Sequence, residues 1–238
     1  METATAFPFA RAAAALAAYE RNARDAARWA HASWFGSALR IEARALDLLR
    51  QAIESAGRKE VDLCSRALLR AAGVTQPGFG VLRASGPALL DCLPARLGLQ
   101  VLRMRAVRLR RAEARRLIEK RSRMQLSEWL GIPLDQVMNQ GGSTSGNAPD
   151  IARLIERGQM PALDRLDAQA LSFEGYALVI RDLRSVAPPF PLLRLALPKT
   201  LPDTGWMREG AAQVDPNGTA ELFAMLPKLL PEWAWLFG

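Results

Sequence analysis

The chain has 238 residues, of which 50% are hydrophobic and 24% charged, and its net charge is +8. This composition is typical of a globular protein with enough apolar residues for a core, and it excludes disorder over most of the length. No stretch of about 18 residues lacks both charge and proline, which argues against a membrane-spanning helix. The apolar N-terminus begins with Glu2 and contains Arg11, so it makes a poor secretory signal.

The first third of the chain predicts helices. Ala-rich segments over residues 9–35, 38–56 and 60–72 are separated by Gly36 and Gly57. The single histidine, His31, lies in the first of these segments, where we expect a packed or surface residue and not a catalytic base.

The two cysteines do not suggest a metal centre. Cys64 and Cys92 lie far apart and have no ligand spacing around them, so we expect two buried, small apolar side chains in a reducing compartment. The sequence predicts no catalytic, metal-ligating or cofactor-binding residues.

The positive charge is concentrated in one segment. Eleven basic and two acidic residues lie between Arg96 and Arg123, so this segment carries +9 and the remaining chain −1. Apolar residues at steps of three or four from Leu99 to Leu117 predict one long basic helix over 97–130.

Most arginines of this predicted helix lie off its apolar stripe and form a cationic face. Four interpretations of this face remain open. It is a solvated surface, a docking surface for an acidic protein partner, a contact for anionic lipid headgroups, or a contact for nucleic acid. If it binds a partner, the candidate residues are Arg103, Arg108, Arg111 and Arg115.

Residues 126–140 fit a helix-turn-helix pattern. Gly131 occupies the turn and Val137 follows six residues later, as that motif requires. The second helix would contain Asp135 and no Arg or Lys, which predicts poor affinity for DNA. The alternatives are a DNA-binding transcription regulator and a plain helical corner.

Residues 139–149 are rich in Gly and Ser and predict a flexible connector. The glycines at 141 and 146 imitate a phosphate loop, but the Lys and Ser/Thr of that loop are replaced by Asn147 and Ala148. The chain then consists of a helical region over 1–138 and a second one over 150–238, either as one body or as two lobes.

The C-terminal region predicts a helix, a proline-rich extended segment near 188–202, and an aromatic end. In the helix, one apolar face is formed by Phe173, Tyr176, Ala177, Ile180 and Leu183. The terminal aromatic residues form either the last layer of the core or an anchor for a partner or membrane surface; they are Trp233, Trp235 and Phe237.

Three segments together resemble a known family: FEGYALVIRDL at 173–183, PPFPLLRLALPKTLPDTGW at 188–206, and the Leu- and Trp-rich C-terminus. They resemble the SctK-type (Hrp/YscK-like) accessory proteins of bacterial type III secretion systems, closest to the plant-pathogen branch. The resemblance extends from about Leu97 to the C-terminus.

The resemblance implies a non-enzymatic adaptor of the sorting platform, at the cytoplasmic face of the bacterial inner membrane. Its protein partners would be the cytoplasmic domain of the SctD-type ring protein and the SctQ-type pod protein. We therefore expect an all-α or predominantly α-helical adaptor with no cofactor and no specific nucleic acid. The candidate partner-binding residues are Arg103, Arg108, Arg111, Arg115, Trp233 and Trp235.

Overall fold

A computed structural model describes residues 8–39, 41–139, 151–156, 160–184, 189–202 and 214–238. These residues form helices and no strand, which confirms the predicted all-α class. The α-helices are α1 (Pro8–Arg24), α2 (Ala26–Trp29), α3 (Ala32–Leu39), α4 (Ala43–Ser55), α5 (Arg58–Ala71), α6 (Phe79–Arg83), α7 (Ala95–Leu109), α8 (Arg111–Arg116), α9 (Lys120–Leu130), α10 (Leu134–Asn139), α11 (Ala152–Glu156), α12 (Ala168–Leu183), α13 (Gly218–Leu229) and α14 (Ala234–Phe237). Short 3-10 helices are formed by Pro87–Cys92, Leu163–Arg165, Leu193–Ala196 and Pro231–Trp233.

The chain divides into two compact units. The first contains Met1–Gly98 and Pro188–Leu201, and the second contains Leu99–Ala187 and Pro202–Gly238. The predicted connector at 139–149 lies outside the described residues except for Asn139, the last residue of α10. Residues on both sides of it belong to the second unit, so its role as a boundary between lobes stays a prediction.

The predicted first helix over 9–35 is wrong in its length, because the structure has α1, α2 and α3 there. Ala30 leaves the helical conformation with ψ near 144°, and the backbone N–H of His31 donates to the Leu195 carbonyl at 2.8 Å. This hydrogen bond to a distant segment thus replaces the one that the His31 N–H would donate if the helix continued. Gly36 lies inside α3, whereas Gly57 precedes α5 as expected.

Alanine forms the packed side of α1. Ala12, Ala15 and Ala18 are buried, and small side chains let neighbouring helices approach α1 closely. In the same unit, the Ser65 hydroxyl accepts a 2.9 Å hydrogen bond from the Ala27 backbone N–H. Burying this hydroxyl therefore leaves no unpaired polar group at the contact of α2 with α5.

The proline strap, defined as residues 189–201, is the returning segment of the first unit. The sequence predicts it as extended, and the structure adds one 3-10 turn at Leu193–Ala196. The Trp34 indole N–H donates to the Leu197 carbonyl at 2.9 Å, and the Arg194 guanidinium lies 5.2 Å from the centre of the Trp34 ring. The strap is thus held by specific polar contacts as well as by its buried leucines.

Asp91 is the buried anchor of the strap. Its two carboxylate oxygens accept hydrogen bonds from the backbone N–H groups of Leu192, at 3.1 Å, and Leu193, at 2.7 Å. Burial raises the pKa of Asp91 to about 7, and the two hydrogen bonds oppose that rise. The carboxyl therefore titrates near neutral pH while it holds the strap.

We predict that Asp91 makes the first unit less stable as pH rises from about 4 to about 7. The pKa of Asp91 is higher in the folded protein than in the unfolded chain, so the folded state binds the proton more tightly. As the pH rises to about 7 the carboxyl loses this proton, and the stabilisation that comes from binding it is lost. The size is at most about 4 kcal/mol, from about 1.4 kcal/mol per pKa unit. Asp91→Asn should remove this slope from urea unfolding curves, and exposed Asp47→Asn should keep it. Equal slopes in both variants would contradict the assignment.

In the second unit, the part of α7 from Gln100 to Leu109 is buried on nearly every side, with Arg103 half-buried, and the following Arg110 is buried too. The single basic helix predicted over 97–130 is wrong, because the segment forms α7, α8 and α9. The helix breaks at Arg110 and again across the extended residues 117–119. Neither break contains glycine or proline, so no local signal marked them.

Helix α12 packs against α7 through a glycine. A Cβ on Gly175 would lie 1.7 Å from the Leu102 carbonyl oxygen, so no other residue fits this contact. The predicted apolar face of α12 is largely wrong, since Leu171, Leu178 and Val179 are the more deeply buried residues. The buried face also contains Glu174, whose charge hid that face from a hydrophobicity pattern.

No helix in the described part of the chain combines the length and the apolar character needed to cross a membrane.

Candidate functional site

The arginines of the basic segment are the principal candidate residues, and several of them lie in the interior of the second unit. The side chain of Arg105 on α7 is fully buried. It donates to Asp182 on α12 at 2.9 Å and to Asp215, ahead of α13, at 2.7 Å. Its Nε also donates to the Thr219 hydroxyl at 3.0 Å, so the guanidinium links three segments.

Arg110 forms a second buried cluster. Its Nε and one terminal nitrogen donate to the two oxygens of Glu174, each at 2.7 Å. Its other terminal nitrogen donates to Glu113 at 2.8 Å and to the Pro161 carbonyl at 2.9 Å. Burial raises the pKa of Glu174, and the hydrogen bonds from Arg110 oppose this rise. The paired geometry satisfies both buried charges.

Two candidate partner-binding arginines are engaged within this unit. Arg103 donates to the carbonyls of Ala168 and Trp129 and to the Ser172 hydroxyl, each at 2.9 Å. Arg108 is buried and pairs with the half-exposed Glu221 at 2.9 Å. Burial lowers the pKa of Arg108, and Glu221 opposes that shift. The expectation that Arg103 and Arg108 lie on a solvent-facing surface is thus corrected, because packed helices surround them.

The remaining two candidates lie farther out. Arg111 is half-buried, and its Nε has no hydrogen-bond partner among the described residues. Arg115 is exposed, as are Arg116, Lys120 and Arg121. A partner-binding role for the basic segment is therefore a proposal that concerns α8 and the start of α9.

We predict that Arg110→Met lowers the free energy of unfolding by about 3–5 kcal/mol, because it leaves the Glu174 charge buried without a partner. Arg116→Met, at an exposed position of α8, should change it by less than about 0.5 kcal/mol. The double variant Arg110→Met/Glu174→Met should recover part of the loss. Chemical denaturation measures all three, and equal losses at Arg110 and Arg116 would contradict the buried-pair assignment.

The aromatic C-terminus has both a buried and an exposed part. Leu236 and Phe237 are buried, and the Phe237 ring meets Phe223 edge to face with centroids 5.9 Å apart. Trp233 is half-buried and Trp235 is 40% exposed, with their ring centroids 5.9 Å apart. The end of the chain thus closes the core of the second unit and also presents an indole at its surface.

We predict that Phe237→Ala lowers the free energy of unfolding by about 3–5 kcal/mol, since it removes a buried aromatic ring. Trp235→Ala should cost less than about 1 kcal/mol, because much of that ring already contacts water. Thermal and denaturant unfolding of the two variants compares them directly. A larger loss at Trp235 than at Phe237 would reverse this division of roles.

Within the predicted helix-turn-helix segment 126–140, the described residues 126–139 form a tight corner between α9 and α10. The Ser127 hydroxyl accepts from the Leu134 backbone N–H at 3.0 Å, and Gly131 adopts a left-handed conformation at φ 72°. Arg123 pairs with Asp135 across the corner at 2.7 Å. Helix α10 has only six residues, and its one charged side chain is this aspartate. The geometry favours a plain helical corner over a DNA-reading helix.

The cysteines and the single histidine complete the sequence predictions. Cys92 is buried as predicted, whereas the prediction is wrong for Cys64, which is exposed on α5. The Nδ1 atom of His31 accepts from the Ser33 backbone N–H at 3.2 Å, at the start of α3. Burial lowers the pKa of His31, with smaller contributions from Arg50 and Arg194. Among the described residues, no group of His, Cys, Asp and Glu is arranged to hold a metal ion.

Comparison with known proteins decides the family. The family model of the bacterial type III secretion protein (HrpB4) matches residues 7–232, nearly the whole chain. The chain belongs to the HrpB4 family. No curated protein and no solved structure matches it significantly. The type III secretion resemblance read from the sequence is therefore confirmed at the level of the family, and this HrpB4-family protein is a component of a type III secretion system.

Sequence analysis of the HrpB4-family chain missed the carboxylates that pair with the buried arginines. Glu174 and Asp182 both lie on α12, two turns apart, within a largely apolar helix. Acidic residues inside an apolar helix were the available signal, because a buried charge requires a partner. Asp215 gave no such signal, since it lies in a turn between helices.

Proposed function

We propose that this HrpB4-family protein is a non-enzymatic adaptor of the secretion apparatus, at the cytoplasmic face of the inner membrane. It would bridge the cytoplasmic domain of an SctD-type ring protein and an SctQ-type pod protein. The observation that carries the proposal is the family match over residues 7–232, together with the likeness to SctK-type proteins.

The distribution of ionisable side chains supports an adaptor over an enzyme. The deeply buried Arg105, on α7, is engaged with Asp182 and Asp215, and Arg110, which follows α7, is engaged with Glu174. These pairs join helices instead of facing a substrate cleft. Residues in such pairs fix geometry, whereas a catalytic acid or base must reach a substrate.

The two compact units suit a bridging role, because a bridge needs two separate binding surfaces. The first unit exposes Leu48 and Leu63, each about two-thirds accessible to water. The second unit exposes Ile118, Trp235 and the arginines of α8. Each unit thus has apolar side chains available for a protein partner.

We predict that the full chain is required for association of the two partners. Mixed in purified form, the SctD-type cytoplasmic domain and the SctQ-type protein should form a ternary complex only when this chain is added. Size-exclusion chromatography with light scattering measures the complex and its stoichiometry. An equally strong ring–pod complex without the chain, or a chain that binds neither protein, would overturn the bridging role.

A further inference from the structure

Residues 115–121 form an exposed cationic ridge where α8 ends and α9 begins. The sequence of the ridge is RRLIEKR, and four of its seven residues are basic: Arg115, Arg116, Lys120 and Arg121. All four are exposed, and none is ion-paired with a described residue. The one carboxylate of the ridge, on Glu119, accepts a hydrogen bond from the Ser122 hydroxyl at 2.8 Å.

At the centre of the ridge, an isoleucine points into water. Ile118 is 96% exposed, whereas the preceding Leu117 is half-buried. Both residues lie in the extended connection between α8 and α9, where successive side chains point to opposite sides. A single exposed apolar side chain is common at protein surfaces, so Ile118 is informative only together with the cations around it and the apolar groove beside it.

A small groove opens beside the ridge. Ser122, Gln125, Leu126 and Trp129 line one wall along α9, since they recur at steps of three and four residues. The remaining lining residues are Leu117, at the ridge, and Leu163, Asp164 and Leu166 opposite. The groove encloses about 90 Å³. That volume suits one aliphatic side chain and is too small for a typical cofactor or substrate site of about 300–1,000 Å³.

We propose that the ridge and groove together form the docking site for an acidic segment of a protein partner, which inserts one aliphatic side chain into the groove. The four cations supply electrostatic complementarity to the acidic segment, and Ile118 and the groove supply the apolar contact at its centre. This inference rests on the proposed adaptor function and names the surface and the partner chemistry.

The groove favours an acidic protein segment as the ligand over two other polyanions, an anionic membrane surface and nucleic acid. A membrane surface presents no single side chain to fill it, and the exposed Gln125 and Asp164 on its rim disfavour insertion into lipid. Nucleic acid offers no aliphatic side chain that could fill the groove. Charge alone does not distinguish these ligands, but the apolar groove beside the charge does.

The first test reverses the ridge charges in the full-length protein. In the variant Arg115→Glu/Arg116→Glu/Lys120→Glu/Arg121→Glu, affinity for the SctD-type cytoplasmic domain or the SctQ-type protein should fall at least tenfold. The matched control reverses four exposed cations of the first unit: Arg44→Glu/Arg58→Glu/Lys59→Glu/Arg70→Glu. This control variant has the same net charge as the ridge variant. It should keep wild-type affinity for the partner that the ridge variant no longer binds tightly. Wild-type binding should also weaken as salt rises from about 0.05 to about 0.5 M.

The second test addresses the apolar centre. Ile118→Ser should weaken the same interaction about tenfold without changing the melting temperature, because this side chain is almost fully exposed. Leu39→Ser removes another exposed apolar side chain, at the end of α3 in the first unit, and should leave that interaction unchanged.

The outcomes separate this inference from the adaptor proposal. If the wild-type chain bridges both partners and the ridge variants bind equally well, the docking site is overturned and the adaptor role stands. If the wild-type chain binds neither protein, the adaptor role is overturned and the docking site with it. Salt-sensitive binding through the ridge only to vesicles with about one-third phosphatidylglycerol, or only to duplex DNA, would overturn the choice of a protein ligand.

Discussion

Burial of two arginine side chains, Arg105 on α7 and Arg110 directly after it, is the constraint around which the second unit is organised. A guanidinium in a packed interior costs several kcal/mol of desolvation unless carboxylates and carbonyls satisfy it. Arg105 requires Asp182 and Asp215, and Arg110 requires Glu174 and Glu113. Glu113 is a near neighbour of Arg110, but Asp182, Asp215 and Glu174 come from segments far along the chain. Their pairing therefore defines which face of α12 meets α7 and where the turn ahead of α13 lies. Apolar contacts alone would let a helix pack against α7 at more than one rotation about its own axis, whereas a bidentate ion pair allows only one.

Buried and exposed arginines of one segment have different roles, although their sequence context is nearly the same. Buried ion pairs of Arg105, Arg108 and Arg110 engage three of the segment's eleven cations inside the unit. The positive charge that remains available to a partner is concentrated at residues 115–121, after α7 has ended. A family whose members assemble into a secretion apparatus needs such a division, since the interior must fix the fold while the surface binds another protein.

In the first unit, the proline strap also depends on a buried ionisable group, which here is a carboxyl instead of a guanidinium. Asp91 is a buried carboxyl, and its partners are backbone N–H groups of the strap instead of a cation. Hydrogen bonds from two successive amides compensate burial only in part, and its pKa therefore stays near neutrality. Three of the strap's thirteen residues are prolines, which have no backbone N–H that would need a hydrogen-bond partner.

The sequence by itself determined the helical class and the family. Helical periodicity and the absence of strand patterns predicted the first, and the segments at 173–183 and 188–206 indicated the second. It also located the glycine that ends α9 and the apolar C-terminus, because both are local signals. Only the tertiary structure decided where the basic segment breaks, which of its arginines are buried, and which face of α12 is covered. The physical reason is that a buried charge is defined by its partner: Arg105 and Arg116 look alike in sequence, and only the distant carboxylates place one inside and leave the other in water.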